Sequence, residues 1–198
     1  MGTVTGTVVC EGGPRPSIAF VHDDPTLVSA AEWWASVART AVLVLVPFAL
    51  LGALVTIAAG APAWRFEAWL AAGAVAGAGV RLAALALSRR RVVLRDAAGA
   101  ATGPAPRIRA ARFAAAVLAR AWVIWPAVAL VGASATPRQA LLAAAWSPAV
   151  VAAWAACGAA VMADAMRRAE QAHGVRLLIP AGLRQRVADG HVLHTAPR

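Results

Sequence analysis

Between residues 40 and 163 the chain alternates long apolar stretches with short polar breaks. Four of the stretches match the roughly 20 helical residues needed to cross ~30 Å of hydrocarbon: 40–60, 68–88, 113–135 and 140–163. The first, TAVLVLVPFALLGALVTIAAG, carries no charge. A water-soluble helix would show a polar face recurring every 3.6 residues, and the first and fourth stretches show none. The pattern predicts an all-α integral membrane fold with four transmembrane helices.

The breaks between the stretches predict how the helices are threaded. The junction LAALALSRRRVVLRDAAG runs from an apolar helix straight into Arg89, Arg90 and Arg91, which reads as a stop at the cytoplasmic face. With both termini and the loop 89–112 placed inside, fifteen arginines lie on the cytoplasmic side, among them Arg95, Arg107, Arg109 and Arg112. The two outer turns then hold only Arg65 and Arg138, while Arg81 and Arg120 fall within spans. An even number of crossings satisfies this bias at every loop; three or five would not. No basic region with a short apolar core precedes the first span, so that span is expected to remain as an uncleaved anchor. Three parts follow: a cytoplasmic N-terminal segment (1–39), a four-helix membrane domain (40–163) and a basic cytoplasmic tail (164–198).

The polar parts predict a small cytoplasmic cap made from the N-terminal segment, the loop 89–112 and the tail. TVTGTVVC at 3–10 alternates like a strand, and Asp24-Pro25 is a good start for a helix through TLVSAAEWWASVAR, lying on the inner surface before the chain enters the bilayer. After Asp164 the fourth helix is expected to continue to Gly174 as its C-cap, followed by a strand-like run and a turn at Asp189-Gly190.

Composition agrees with the membrane class and narrows the chemistry. The chain of 198 residues is 61% hydrophobic and 14% charged, against roughly 45–50% and about 25% in soluble proteins. All 19 basic residues are arginine, and Lys, Asn and Tyr are missing, a bias that GC-rich bacterial coding produces by itself. The net charge of +10 flanks apolar segments instead of covering a soluble surface, which argues for a membrane and against nucleic acid as the partner. Cys10 and Cys157 lie in a polar and an apolar segment, so no disulfide is expected.

Arg81 and Arg120 are the most informative positions. Each lies seven residues from the cytoplasmic end of its span, ~10 Å deep. They either snorkel to the inner headgroups or face the bundle interior, where with Arg39 and Asp164 they form a site for a lipid phosphate or another anion. Gly73 and Gly77 form a GxxxG pattern that permits close helix approach. Pro47, Pro126 and Pro148 are expected to bend their spans. Trp33, Trp34, Trp64 and Trp69 sit where interfacial belts form, whereas Trp122, Trp125, Trp146 and Trp154 lie deeper, against helices, lipid or a ligand. His22-Asp23-Asp24 and His191/His194 lack the frame of a metal motif, and no metal or other cofactor is expected. No nucleophile elbow, zincin motif or phosphate-binding glycine loop is present.

The stretch RRRVVLRDAAG, followed by a basic turn into a third span, resembles the cytoplasmic loop of RDD-type small bacterial membrane proteins. The likeness covers that loop alone, and Arg39 lacks the acidic partner that the family's pattern places in the first span. The residues themselves predict a multi-pass protein of the bacterial inner membrane, acting as a non-catalytic accessory or assembly subunit that docks on other membrane chains and on anionic lipid. A transporter component, or an enzyme acting on a lipid phosphate, are the alternatives.

Overall fold

The computed structural model describes residues 26–88, 93–96, 102–104, 107–131, 136–181 and 192–197, with backbone alone for residues 88, 93–96, 124–131, 192 and 197. Four helices dominate it: α1 (Ala30–Ala58), α2 (Ala63–Ser88), α3 (Ala110–Val131) and α4 (Pro137–His173). Among the described residues α1, α2 and α4 are long and apolar enough to cross a membrane. The large apolar side chains they leave exposed include Leu43, Ile57, Val75 and Leu87, and α3 adds Trp122. Apolar surface on this scale is unstable in water, where patches rarely exceed a few hundred Å². In hydrocarbon it is the expected outer face.

The helix ends follow local chemistry. Ser29 caps α1, its hydroxyl accepting from Glu32 N–H. Thr136 and Gln139 form a capping box at the start of α4, with Pro137 in the first turn, where its missing N–H costs nothing. Gly174 closes α4 with φ 64°, a left-handed conformation that glycine adopts without steric cost. Gly60, at φ 58°, makes the tight turn between α1 and α2. The helices continue through Pro47 and Pro148.

The all-α expectation is corrected by a four-stranded sheet. Its strands are β1 (Leu27–Ser29), β2 (Val93–Asp96), β3 (Val175–Pro180) and β4 (Val192–Pro197), in the order β1-β3-β4-β2. β3 runs antiparallel to both β1 (Val28 opposite Ile179) and β4 (Leu177 opposite Thr195), and β4 runs parallel to β2 (Leu94 opposite Leu193). Gly103 N–H donates to Leu27 carbonyl, so the loop before α3 also touches β1. The N-terminal segment, the loop 89–112 and the tail each contribute strands to this one sheet.

Its N-terminal strand is Leu27–Ser29, and this corrects the expected helix start. Val28 and Leu27 are almost fully buried; pairing with β3 while burying both side chains outweighs extending the helix backward by one turn. The surface helix and the first span are moreover one continuous helix, without a break at Arg39 and Thr40. The TVTGTVVC run, Asp24-Pro25, Asp189-Gly190 and Arg89, Arg90 and Arg91 lie outside the described residues.

β1 leads into α1, β2 follows α2 and β3 follows α4, so the sheet gathers these helix ends at one end of the bundle. α4 is the hub, packing against each of the other three helices, and β3 rests on α1 and α4. One core cluster joins Val44, Val117, Ala121, Val151 and Ala152 of α1, α3 and α4; a second joins Phe66, Leu142, Trp146 and Ala149 of α2 and α4.

A buried carboxylate ties helix to sheet. Glu170 is 7% exposed and its Oε1 accepts from Leu177 N–H at 3.0 Å. Glu170→Ala strands that amide without an acceptor, at an expected cost of about 1–3 kcal/mol. Glu170→Gln keeps a carbonyl oxygen and is expected to lose much less. Hydrogen exchange at Leu177 checks this: protection should collapse in the Ala variant and persist in the Gln variant.

Candidate functional site

Arg39, Arg81 and Arg120 sit well inside their helices, and all three lean toward the sheet end. α1 and α3 both run away from that end, and in each an arginine bends back one turn. Arg39 Nε donates to Ala35 carbonyl and Arg120 Nη1 to Ala116 carbonyl, each at a long 3.4 Å. α2 runs toward the sheet, and its Arg81 reaches forward to place its guanidinium 5.0 Å from the ring centre of Trp34, near the start of α1. The three side chains follow the geometry of snorkelling.

Arg81 is the best held of them. Its guanidinium also lies 6.0 Å from the ring of Trp154 on α4, so indoles of two other helices flank it. Contacts of this kind contribute roughly 0.5–1 kcal/mol when exposed and about 2 or more when desolvated. Trp34 in turn meets Trp33 edge-on at 4.7 Å. The close approach of α2 to α4 makes this possible. A Cβ on Gly73 would stand 2.8 Å from Val150 carbonyl oxygen, and one on Gly77 would overlap the backbone of Trp154. Across the contact, a Cβ on Gly158 would stand 3.1 Å from both Gly77 carbonyl oxygen and Arg81 Cγ. The GxxxG pair thus forms the seam that seats α2 on α4.

Arg120 lines a different feature. α2 and α3 share no extensive contact among the described residues, and between them opens an apolar groove of about 850 Å³. Ala72, Gly73 and Ala76 form one wall, Ala116, Ala119 and Arg120 the other, and Trp154 lies in the floor. Trp154 is the residue common to the surroundings of Arg81 and Arg120; no hydrogen bond joins the two arginines.

Arg39 and Asp164 meet in a third place. They line a cavity of about 550 Å³ between α1 and α4, together with Glu32 and Arg167. Asp164 pairs with Arg168 one turn further along α4. Both partners are exposed, and such a pair contributes little to stability. The four arginine and aspartate positions singled out from the sequence therefore occupy three neighbouring environments instead of one.

The basic loop is described in part. Arg107, Arg109 and Arg112 are exposed ahead of and at the start of α3, whereas Arg95 lies on β2, where only the backbone is described. Cys157 carries a free thiol on α4, and Cys10 lies outside the described residues. Among the described residues no three His, Cys, Asp or Glu side chains are grouped to hold a metal ion.

Three contacts escaped sequence reasoning. The Trp34 platform for Arg81 joins residues far apart in the chain, and no spacing signals it. Trp146 Nε1 donates to Thr56 Oγ1 at 2.9 Å, a link across 90 residues. The third, the capping box at Thr136-Pro-Arg-Gln139, does carry a signal, since its residue pattern alone marks a helix start.

No protein-family model matches the chain, and no match is found among curated proteins or solved structures. The loop likeness to RDD-type proteins gains no support from these comparisons.

Proposed function

We propose that this chain is a four-span protein of the bacterial inner membrane, with both termini and the sheet on the cytoplasmic side. It acts without catalysis, as an accessory or assembly subunit whose helices dock against other membrane chains and whose arginines hold anionic lipid. The observation that carries this reading is the gathering of β1, β2 and β3 at one end of the bundle. Positive charge retained on one side is what the positive-inside bias requires. α3 supplies the fourth crossing: its 22 residues rise ~33 Å.

Docking is supported by the outward faces. Trp122 and Val123 are exposed on α3, which packs chiefly on α4 and less on α1. The charged groups that line the cavity between α1 and α4 are Arg39 and Arg167 with Glu32 and Asp164, and Asp164 is already paired. A photo-crosslinker at Trp122 should trap one discrete membrane-protein adduct in cells, and the same protein should co-purify at fixed stoichiometry in mild detergent. Absence of any protein adduct from Leu54, Val75 and Trp122 alike would overturn docking.

A further inference from the structure

We propose that the groove between α2 and α3 is a site for a single anionic phospholipid of the leaflet on the sheet side, with its phosphate on Arg120 and one acyl chain laid along the groove. This rests on the membrane reading above and specifies a ligand for it. Three observations carry it.

The first is charge. Arg120 is exposed into the groove, and its described bond is the long one to Ala116 carbonyl, which leaves most of its five N–H donors for a ligand. Among the described residues no acidic side chain lines the groove. A guanidinium in an apolar setting attracts an anion, and its fork matches two phosphate oxygens.

The second is depth. Arg120 lies ten residues from Ala110, ~15 Å along α3, and bends back one turn toward the sheet. That brings the charge to ~10 Å from the helix end, within reach of a headgroup but not of bulk water.

The third is shape. Small side chains on both walls keep the groove open, and it continues toward the opposite end of α4. It shares Trp69, Val150 and Val151 with a second cavity of about 400 Å³ that extends to Leu142. From Trp154 to Leu142 the floor runs twelve residues, ~18 Å. That is close to half the ~30 Å hydrocarbon thickness, the depth one leaflet's chains occupy.

The test uses the full chain in nanodiscs of equal phosphatidylglycerol and phosphatidylcholine, released for native mass spectrometry. Wild type should retain one phosphatidylglycerol in preference to phosphatidylcholine. Arg120→Gln should lower that retention on the order of tenfold, Arg120→Lys should restore part of it, and Ala76→Phe, which fills the groove, should remove the lipid with Arg120 intact. Leu43→Ala, on the exposed face of α1 and outside the groove lining, should retain it as wild type does. Equal retention in Arg120→Gln, or equal loss in Leu43→Ala, would overturn the site while leaving the membrane reading standing. A chain that stays monodisperse without detergent would overturn the membrane reading itself.

Discussion

Gly77→Leu is expected to unseat α2 from α4 and to cost about 3 kcal/mol or more, at or beyond the upper end of the ~1–3 kcal/mol typical of overpacking. A Cβ at this position would fall within 2.8 Å of Trp154 carbon atoms and closer still to its carbonyl oxygen. These are backbone atoms in the middle of α4, so they cannot rotate aside as a side chain would. Relief requires the helices to separate. Separation would also draw Arg81 away from Trp154, dissolving the cation–π contact that the close approach allows. Gly79, two residues on, meets nothing within 4 Å, and Gly79→Leu should stay within about 0.5 kcal/mol of wild type, as surface substitutions do. Thermal unfolding in detergent compares the two variants directly. Equal melting of Gly77→Leu and Gly79→Leu would contradict the seam.

Trp146→Ala carries the second large effect. Trp146 is buried, its ring centre lies 5.6 Å from that of Phe66, and its indole N–H donates to Thr56 Oγ1. The Thr56 hydroxyl in turn donates to Gly52 carbonyl at 2.6 Å, and Gly52 itself lies against the Phe66 ring. One residue thus joins α1, α2 and α4. Emptying a tryptophan site costs about 3–5 kcal/mol. Trp146→Phe separates packing from hydrogen bonding: it keeps an aromatic ring and loses the N–H. Hydrogen bonds between membrane helices contribute ~0.6 kcal/mol on average and up to about 1.7, so the Phe variant should lose only that much. A Phe variant as unstable as the Ala variant would show that the hydrogen bond, and not the ring, dominates.

The helical frame was legible in the sequence because lipid imposes a simple pattern: the apolar run 40–60 matches α1 up to its end at Ala58, 68–88 falls within α2, and 140–163 lies within α4. Gly174 and the extension beyond Asp164 could be read from capping and charge. The Gly73/Gly77 face was legible too, since small residues at that spacing have one common use in membrane helices. The start of α1 was misread because Leu27 and Val28 suit a helix or a strand equally well by local propensity. Pairing with β3, 150 residues away, decides between them. The arginine site was legible only as an inventory. Matched depth along two helices says how far each charge lies from the surface but nothing of its azimuth, and azimuth assigned Arg81 to the indoles and Arg120 to the groove. In Ala-rich spans nearly every face is equally apolar, so periodicity carries no information about which helix neighbours which.

The central claim is that lipid surrounds these helices and that the sheet end faces the cytoplasm. Single-cysteine labelling with a membrane-impermeant maleimide tests it most directly, in spheroplasts and with Cys10 and Cys157 replaced by serine. Ala61→Cys, in the turn between α1 and α2, should label in intact spheroplasts, and His194→Cys, on β4, only after lysis. Labelling of His194→Cys in intact spheroplasts, with Ala61→Cys protected, would contradict the orientation and with it the assignment of the arginines to the inner leaflet.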